Sequence, residues 1–83
     1  MGTNDHGNLD PRVVAIAKQL KALRLQRGYR SYEAFALDHD LDRKQYWRME
    51  KGTNFTILSL LKVLDVYELS LQDFFASLTP ASH

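Results

Sequence analysis

The 83-residue chain contains no cysteine, no long apolar run and a net charge of only +1. The absence of cysteine excludes a disulfide framework and a thiolate metal site, and it suits a reducing compartment. The apolar runs are far shorter than the roughly 20 residues that span a bilayer. The N-terminus lacks the apolar stretch of a signal peptide, so we expect a soluble, cytoplasmic protein without membrane contacts.

Hydrophobic residues make up 45% of the chain, which is enough for one small core. The polar ends predict a flexible N-terminal tail over residues 1–8 and a flexible C-terminal tail over residues 79–83. We therefore expect a single domain over residues 9–78.

The pattern of apolar and capping residues predicts an all-α fold of five helices. Helix starts are indicated by Asp10-Pro11, Ser31, Asp42, Thr56 and Ser70. We expect the first helix to end near Gly28, the third at Gly52 and the fourth near Asp65. The predicted buried stripes are Val13, Ile16, Ala17, Leu20 and Leu23 in the first helix, Ile57, Leu60, Leu61 and Leu64 in the fourth, and Leu71, Phe74, Phe75 and Leu78 in the fifth.

Positive charge is concentrated in the middle of the chain. Between Lys18 and Lys51 there are nine lysines and arginines against five acids, whereas both flanking segments are slightly acidic. Such a local positive field steers a protein toward phosphate, and its modest size predicts binding that salt weakens readily.

The predicted third helix sorts its side chains onto two faces. With each residue advancing about 100°, five basic or aromatic residues fall within an arc of about 140°, namely Arg43, Lys44, Trp47, Arg48 and Lys51. Tyr46 and Met49 lie on the opposite side, toward a core. A short helix with a basic outer face suits insertion into the DNA major groove, although a solvated cationic face is the alternative from charge alone.

Arg24 falls near the centre of the apolar face of the first helix. A buried guanidinium needs a carboxylate partner, and Glu50 at the edge of the third helix is the best candidate. The alternative is that Arg24 extends past its neighbours to solvent.

No enzymatic pattern is present. His6, His39 and His83 are far apart, serines lack a base partner, and there is no glycine-rich phosphate loop. Asp38, Asp40 and Asp42 lack the spacing of a calcium loop and are better explained as turn and cap residues. We expect no catalytic residues, no metal and no cofactor.

Four motifs resemble those of the Cro/C1-type (XRE-like) helix-turn-helix domains of bacterial and phage repressors. They are Leu23-Arg24-x-x-x-Gly28, Ser31-x-Glu-x-Phe-Ala36, Leu41-Asp-Arg-x-x-Tyr46-x-x-Met-Glu50-x-Gly52, and Leu60-Leu-Lys-Val-Leu64 with Ser70-Leu-x-Asp-Phe-Phe75. The resemblance implies a compact, lambda-repressor-like fold, with helix 43–51 as the recognition helix. It also implies the Arg24–Glu50 pair, which the helical wheel indicates independently.

The resemblance implies a role for each group on this surface. The residues expected to contact bases are Arg43, Lys44, Trp47 and Arg48, and those expected to contact phosphate are Tyr32, Lys51, Thr53 and Asn54. For Trp47, contact with a thymine methyl or the groove wall stands beside folding back over Tyr32 or His39. The chain departs from the family pattern at the turn, where Asp40 replaces glycine, and at Asp42, an acid close to the expected DNA.

These features predict a sequence-specific regulator of transcription that binds double-stranded DNA, with repression as the expected outcome. Because one recognition helix covers few base pairs, we expect a homodimer on DNA, associated with the nucleoid. Two alternatives remain open at this point. One is the antitoxin of a toxin–antitoxin pair, with a toxin as partner, and the other is a protein-interaction module that keeps the fold without binding DNA.

Overall fold

The computed structural model describes residues 10–78, which form five α-helices and no β-strand. The helices are α1 (Pro11–Gln26), α2 (Tyr32–Asp38), α3 (Arg43–Lys51), α4 (Ile57–Tyr67) and α5 (Leu71–Ser77). This confirms the predicted all-α class and the number of helices. The predicted tails at 1–8 and 79–83 lie outside the described residues. No helix within residues 10–78 has the length and apolar character needed to cross a membrane.

All five helices begin at the residues that the sequence indicated as caps. In each case a side-chain oxygen accepts a hydrogen bond from a backbone N–H in the first turn. The cap residues and their N–H donors are Asp10 with Arg12, Ser31 with Ala34, Asp42 with Gln45, Thr56 with Ser59, and Ser70 with Asp73. These bonds depend only on residues two or three positions apart, which explains why the starts are readable from sequence.

Each of the first four helices is followed, within two residues, by a residue with left-handed backbone geometry. Gly28 and Gly52 have φ values of 91° and 84°, and Asp40 and Glu68 have values of 58° and 56°. In the turn after α2, the N–H of Leu41 donates to the carbonyl of Ala36 at 2.8 Å, which reverses the chain tightly. Asp40 supplies the left-handed residue of this turn. The end of α4 lies two residues beyond the expected Asp65.

The core is centred on Phe35, which is fully buried in α2. Its ring lies 5.1 Å from that of Tyr46 in α3 and stacks against Tyr67 of α4 at 5.6 Å. Leu20 of α1 and Phe74 of α5 are also fully buried in the same cluster. All five helices therefore contribute to one set of contacts, and α3 packs against both α1 and α2.

The predicted buried stripe of α4 was right for Leu60 and Leu64, which are each 1% exposed, and wrong for Ile57 and Leu61. Ile57 is 59% exposed and Leu61 is only half-buried, whereas Val63 and Tyr67 are buried. The buried face is rotated by about 80° from the predicted one. The difference is tertiary in origin, since the ring of Tyr67 stacks on Phe35 of α2 across the core.

A similar correction applies to α5, where four apolar residues were expected on one side. Phe74 is fully buried, and Leu71 and Leu78 are partly buried against the core. Phe75 is 43% exposed. It follows Phe74 directly and so points about 100° away around the helix.

Candidate nucleic-acid interface

Local bonds and buried anchors fix the position of α3. Asp42 caps its N-terminus by accepting the N–H of Gln45 at 2.9 Å, and Gly52 ends it in a left-handed turn. Tyr46 and Met49 are each only 1% exposed, so the inner face of the helix is fixed in the core. The outer face is consequently held in one orientation relative to α1 and α2.

The ion pair between Arg24 and Glu50 joins α1 to α3. Arg24 is only 4% exposed, and its Nε and Nη2 atoms donate to the two carboxylate oxygens of Glu50 at 2.8 and 2.9 Å. Its Nη1 atom donates to the carbonyl of Tyr29 at 2.9 Å, and the hydroxyl of Tyr46 donates to Glu50. This arrangement is the expected pair, and it differs from the alternative in which Arg24 reaches solvent.

Burial and hydrogen bonding raise the pKa values of Arg24 and Tyr46 in this network. The hydrogen bonds to Glu50 raise the pKa of Arg24, so its positive charge is secure. Burial, followed by the hydrogen bond to Glu50, raises the pKa of Tyr46 well above its ordinary value. Arg24 is therefore charged and Tyr46 neutral at physiological pH, which keeps the buried bonds between α1 and α3 intact.

The four residues expected to contact bases share one exposed face. Arg43, Lys44, Trp47 and Arg48 are all exposed. Together with the start of α2 they form a shallow cleft, here called the α2–α3 cleft, lined by Tyr32, Glu33, Arg43, Lys44, Trp47 and Arg48. One of the expected phosphate-contacting residues, Tyr32, is therefore placed beside all four.

Two side-chain contacts lie on this exposed face of α3. Arg43 Nη1 lies 3.7 Å from Glu33 Oε2, and both side chains remain more than half exposed. Lys51 Nζ lies over the ring of Trp47, 5.3 Å from its centroid, in a cation–π contact. Within residues 10–78, no acid pairs with Lys44 or Arg48. These two cations are therefore free to meet an anionic partner.

Asn54 and Thr53 were also expected to contact phosphate, and they differ in whether their side chains are free to do so. Asn54 is exposed and shares a second hollow with Lys44 and Arg48. Thr53 is half-buried, and its hydroxyl donates to the carbonyl of Arg48 at 3.0 Å. The hydroxyl of Thr53 would have to release that bond before donating to a phosphate oxygen.

The sequence interpretation missed two residues on or near this surface. Glu33 lines the α2–α3 cleft and faces Arg43, and Gln45 donates through its side chain to Ser59 Oγ of α4. Glu33 directly follows Tyr32, which was already assigned to the surface, so its neighbourhood was a usable signal. Gln45 gave no comparable signal, because its partner lies 14 positions away in the chain.

The acids of the turn act as structural residues, as expected. Asp42 is a cap, Asp40 supplies the left-handed turn, and Asp38 accepts a hydrogen bond from the hydroxyl of Tyr29 at 2.7 Å. Across residues 10–78, no three histidines or acids converge in a way that would hold a metal ion. The strongest chemical feature of this surface is therefore its cationic and aromatic face.

Comparisons with known proteins found no matching family model, no matching curated protein and no matching solved structure.

Proposed function

We propose that this protein is a sequence-specific regulator of transcription that binds double-stranded DNA, with repression as its mode of action. The observation that supports the proposal most directly is the exposed face of α3, where Arg43, Lys44, Trp47 and Arg48 project together from a helix anchored by buried residues. The resemblance of the four sequence motifs between Leu23 and Phe75 to those of Cro/C1-type helix-turn-helix domains supports the same proposal.

The dimensions and chemistry of α3 suit the major groove. An α-helix with its side chains is about 10–12 Å across, and the groove is about 12 Å wide. Arginine can donate to O6 and N7 of guanine together, which gives about 1–3 kcal/mol of discrimination, so Arg43 and Arg48 are proposed to specify bases. Lys44 and Trp47 are proposed to contact the neighbouring base edges.

Phosphate contacts would position the helix without specifying sequence. Tyr32 at the start of α2, Lys51 at the end of α3 and Asn54 beyond it flank the proposed base-contacting face. Thr53 is proposed to donate its hydroxyl to phosphate after releasing its hydrogen bond to the carbonyl of Arg48. Because one helix reads few base pairs, we propose that the protein binds as a homodimer to paired half-sites, within the nucleoid of the cytoplasm.

A selection for bound sequences from a random duplex pool tests this function. The expected result is a short preferred motif, repeated at a spacing of about one or more helical turns if a dimer binds. Binding to the motif should weaken as salt rises, since phosphate contacts release counterions. Failure to bind either the enriched pool or random duplex in the micromolar range at low salt would refute the proposal.

A protein-interaction module is the second candidate function, and one feature of the surface favours it. Leu37 is 81% exposed on α2, beside the acidic residues Asp38 and Asp40, and Ile57 and Leu58 are exposed at the start of α4. An antitoxin would combine DNA binding with such a protein-binding surface. If the protein binds neither the selected nor the random duplex, the pure interaction module is the remaining candidate. DNA binding together with a co-purifying toxin would favour the antitoxin.

A further inference from the structure

The α2–α3 cleft has aromatic walls. Trp47 is 42% exposed on the outer face of α3, and Tyr32 faces the same cleft from the first position of α2. The ammonium of Lys51 rests over the indole ring, while Tyr32 packs partly against the core. Both rings are therefore braced by their own neighbours, and they are the two aromatic residues that line the cleft.

The rim of this cleft carries a net positive charge. Three cations, Arg43, Lys44 and Arg48, surround it, and Glu33 is the single acid among its lining residues. Glu33 is partly neutralised by Arg43 at 3.7 Å. A partner that presents a small apolar group on a strongly anionic scaffold fits this combination.

We infer that the α2–α3 cleft receives the 5-methyl group of a pyrimidine in the major groove. This inference rests on the proposed function and specifies what the site recognises. The 5-methyl group of thymine is the one apolar group on the base edges of that groove, and it lies on a polyanion. The same group occurs in 5-methylcytosine, so the cleft recognises the methyl group rather than one base.

The arrangement also predicts where the methylated pyrimidine lies in the binding site. Trp47 falls between Arg43 and Arg48 on the outer face of α3, and all three side chains line the same cleft. The methyl-bearing base is therefore a neighbour of the guanines proposed for the two arginines.

Base analogues in the selected duplex test this inference. Each thymine of a half-site is replaced in turn by deoxyuridine, and each cytosine by 5-methylcytosine. At one position the protein should lose about fourfold in affinity when the methyl is removed, or gain about fourfold when it is added, as expected for one buried methyl group. Trp47→Ala should bind the methylated and unmethylated duplexes equally at that position.

A control variant and a stability measurement accompany this test. Leu37→Ala removes an exposed apolar side chain of α2 that does not line the cleft, so this variant should retain the methyl discrimination. Thermal unfolding of Trp47→Ala should match the unsubstituted protein, because the indole does not belong to the buried core cluster. Sequence-specific binding that is insensitive to every methyl change, or discrimination that survives Trp47→Ala, would overturn the inference while leaving the proposed function in place. Absence of any sequence preference would instead refute the proposed function.

Discussion

Arg43 and Lys51 are both exposed cations of α3, but their surroundings predict different contributions to binding. Arg43 lies in the first turn, within the α2–α3 cleft, and its planar fork suits the base-edge contact proposed above. Lys51 is the last residue of the helix and sits over Trp47. Its ammonium is a compact charge better suited to a phosphate oxygen, so the two residues should separate specificity from general affinity.

Alanine substitutions at these positions should produce distinct binding profiles. Arg43→Ala is expected to cost about 1–3 kcal/mol on the preferred site and to relax the base preference at one position. Lys51→Ala should weaken all sequences alike and reduce the slope of log affinity against log salt by about one. Titrations of preferred and random duplex at several salt concentrations measure both effects. Equal losses on both duplexes for Arg43→Ala would remove it from the base-reading set.

Two ion pairs of the same length differ in burial and should differ in energetic importance. Arg24–Glu50 and Arg12–Asp10 both have N···O distances of 2.8 Å, but the first is almost fully buried and the second is exposed. Removing one partner of a buried pair leaves an uncompensated charge in the core. An exposed pair exchanges its contact for water at little cost.

Arg24→Met is therefore expected to lower the free energy of unfolding by about 3–5 kcal/mol. Arg12→Met is the matched control and should leave stability nearly unchanged. Denaturant unfolding followed by far-ultraviolet circular dichroism measures both. A loss for Arg24→Met no larger than that of the control would show that the buried pair does not secure the contact between α1 and α3.

At the scale of the helices, the left-handed residue that follows a helix is a glycine in two cases and an acidic residue in two others. Gly28 and Gly52 adopt positive φ without strain, whereas Asp40 and Glu68 place a Cβ atom in the left-handed region. Aspartate tolerates that region better than glutamate, since its short side chain can bond locally. The turns after α2 and α4 are therefore closed at some conformational cost.

Replacing these acids with glycine should stabilise the protein. Glu68→Gly is expected to raise the free energy of unfolding by about 0.5–1 kcal/mol, and Asp40→Gly by less. Glu68→Ala is the control, because it removes the charge but keeps the Cβ atom at φ 56°. Thermal unfolding measures the three variants. If Glu68→Ala gains as much as Glu68→Gly, the charge rather than the backbone geometry is the source of the cost.

At the scale of the helices, the sequence predicted the helix starts but not every buried face. The cap of each helix was readable because a Ser, Thr or Asp side chain bonds to a backbone group two or three residues away. The burial of Val63 and Tyr67 was not readable, because it depends on how α4 meets Phe35 across the core. For the candidate interface, the outer face of α3 followed from its helical period alone. The approach of Glu33 to Arg43 did not, since it requires the placement of α2 against α3.

At the scale of the whole molecule, the core joins the helices through aromatic rings and also contains a polar atom without a partner. The hydroxyl of Tyr67 is buried and forms no hydrogen bond with any of residues 10–78. Its ring stacks on Phe35, and the guanidinium of Arg27 lies over it, 5.0 Å from the centroid. Because burial disfavours the phenolate, the pKa of Tyr67 is raised to about 12. Folding is therefore coupled to pH on the alkaline side.

This coupling predicts how stability changes with pH. In the unfolded chain the tyrosine ionises near pH 10, so the protonated phenol of the folded state favours folding fully below that pH. As pH rises from about 10 toward 12, the unfolded state alone loses its proton, and Tyr67 should account for a loss of about 2–3 kcal/mol. Denaturant unfolding at intervals from pH 8 to 12 measures the loss, and Tyr67→Phe should lose that much less over the same range. Parallel curves for the two proteins would show that the core does not hold the phenol in its neutral form.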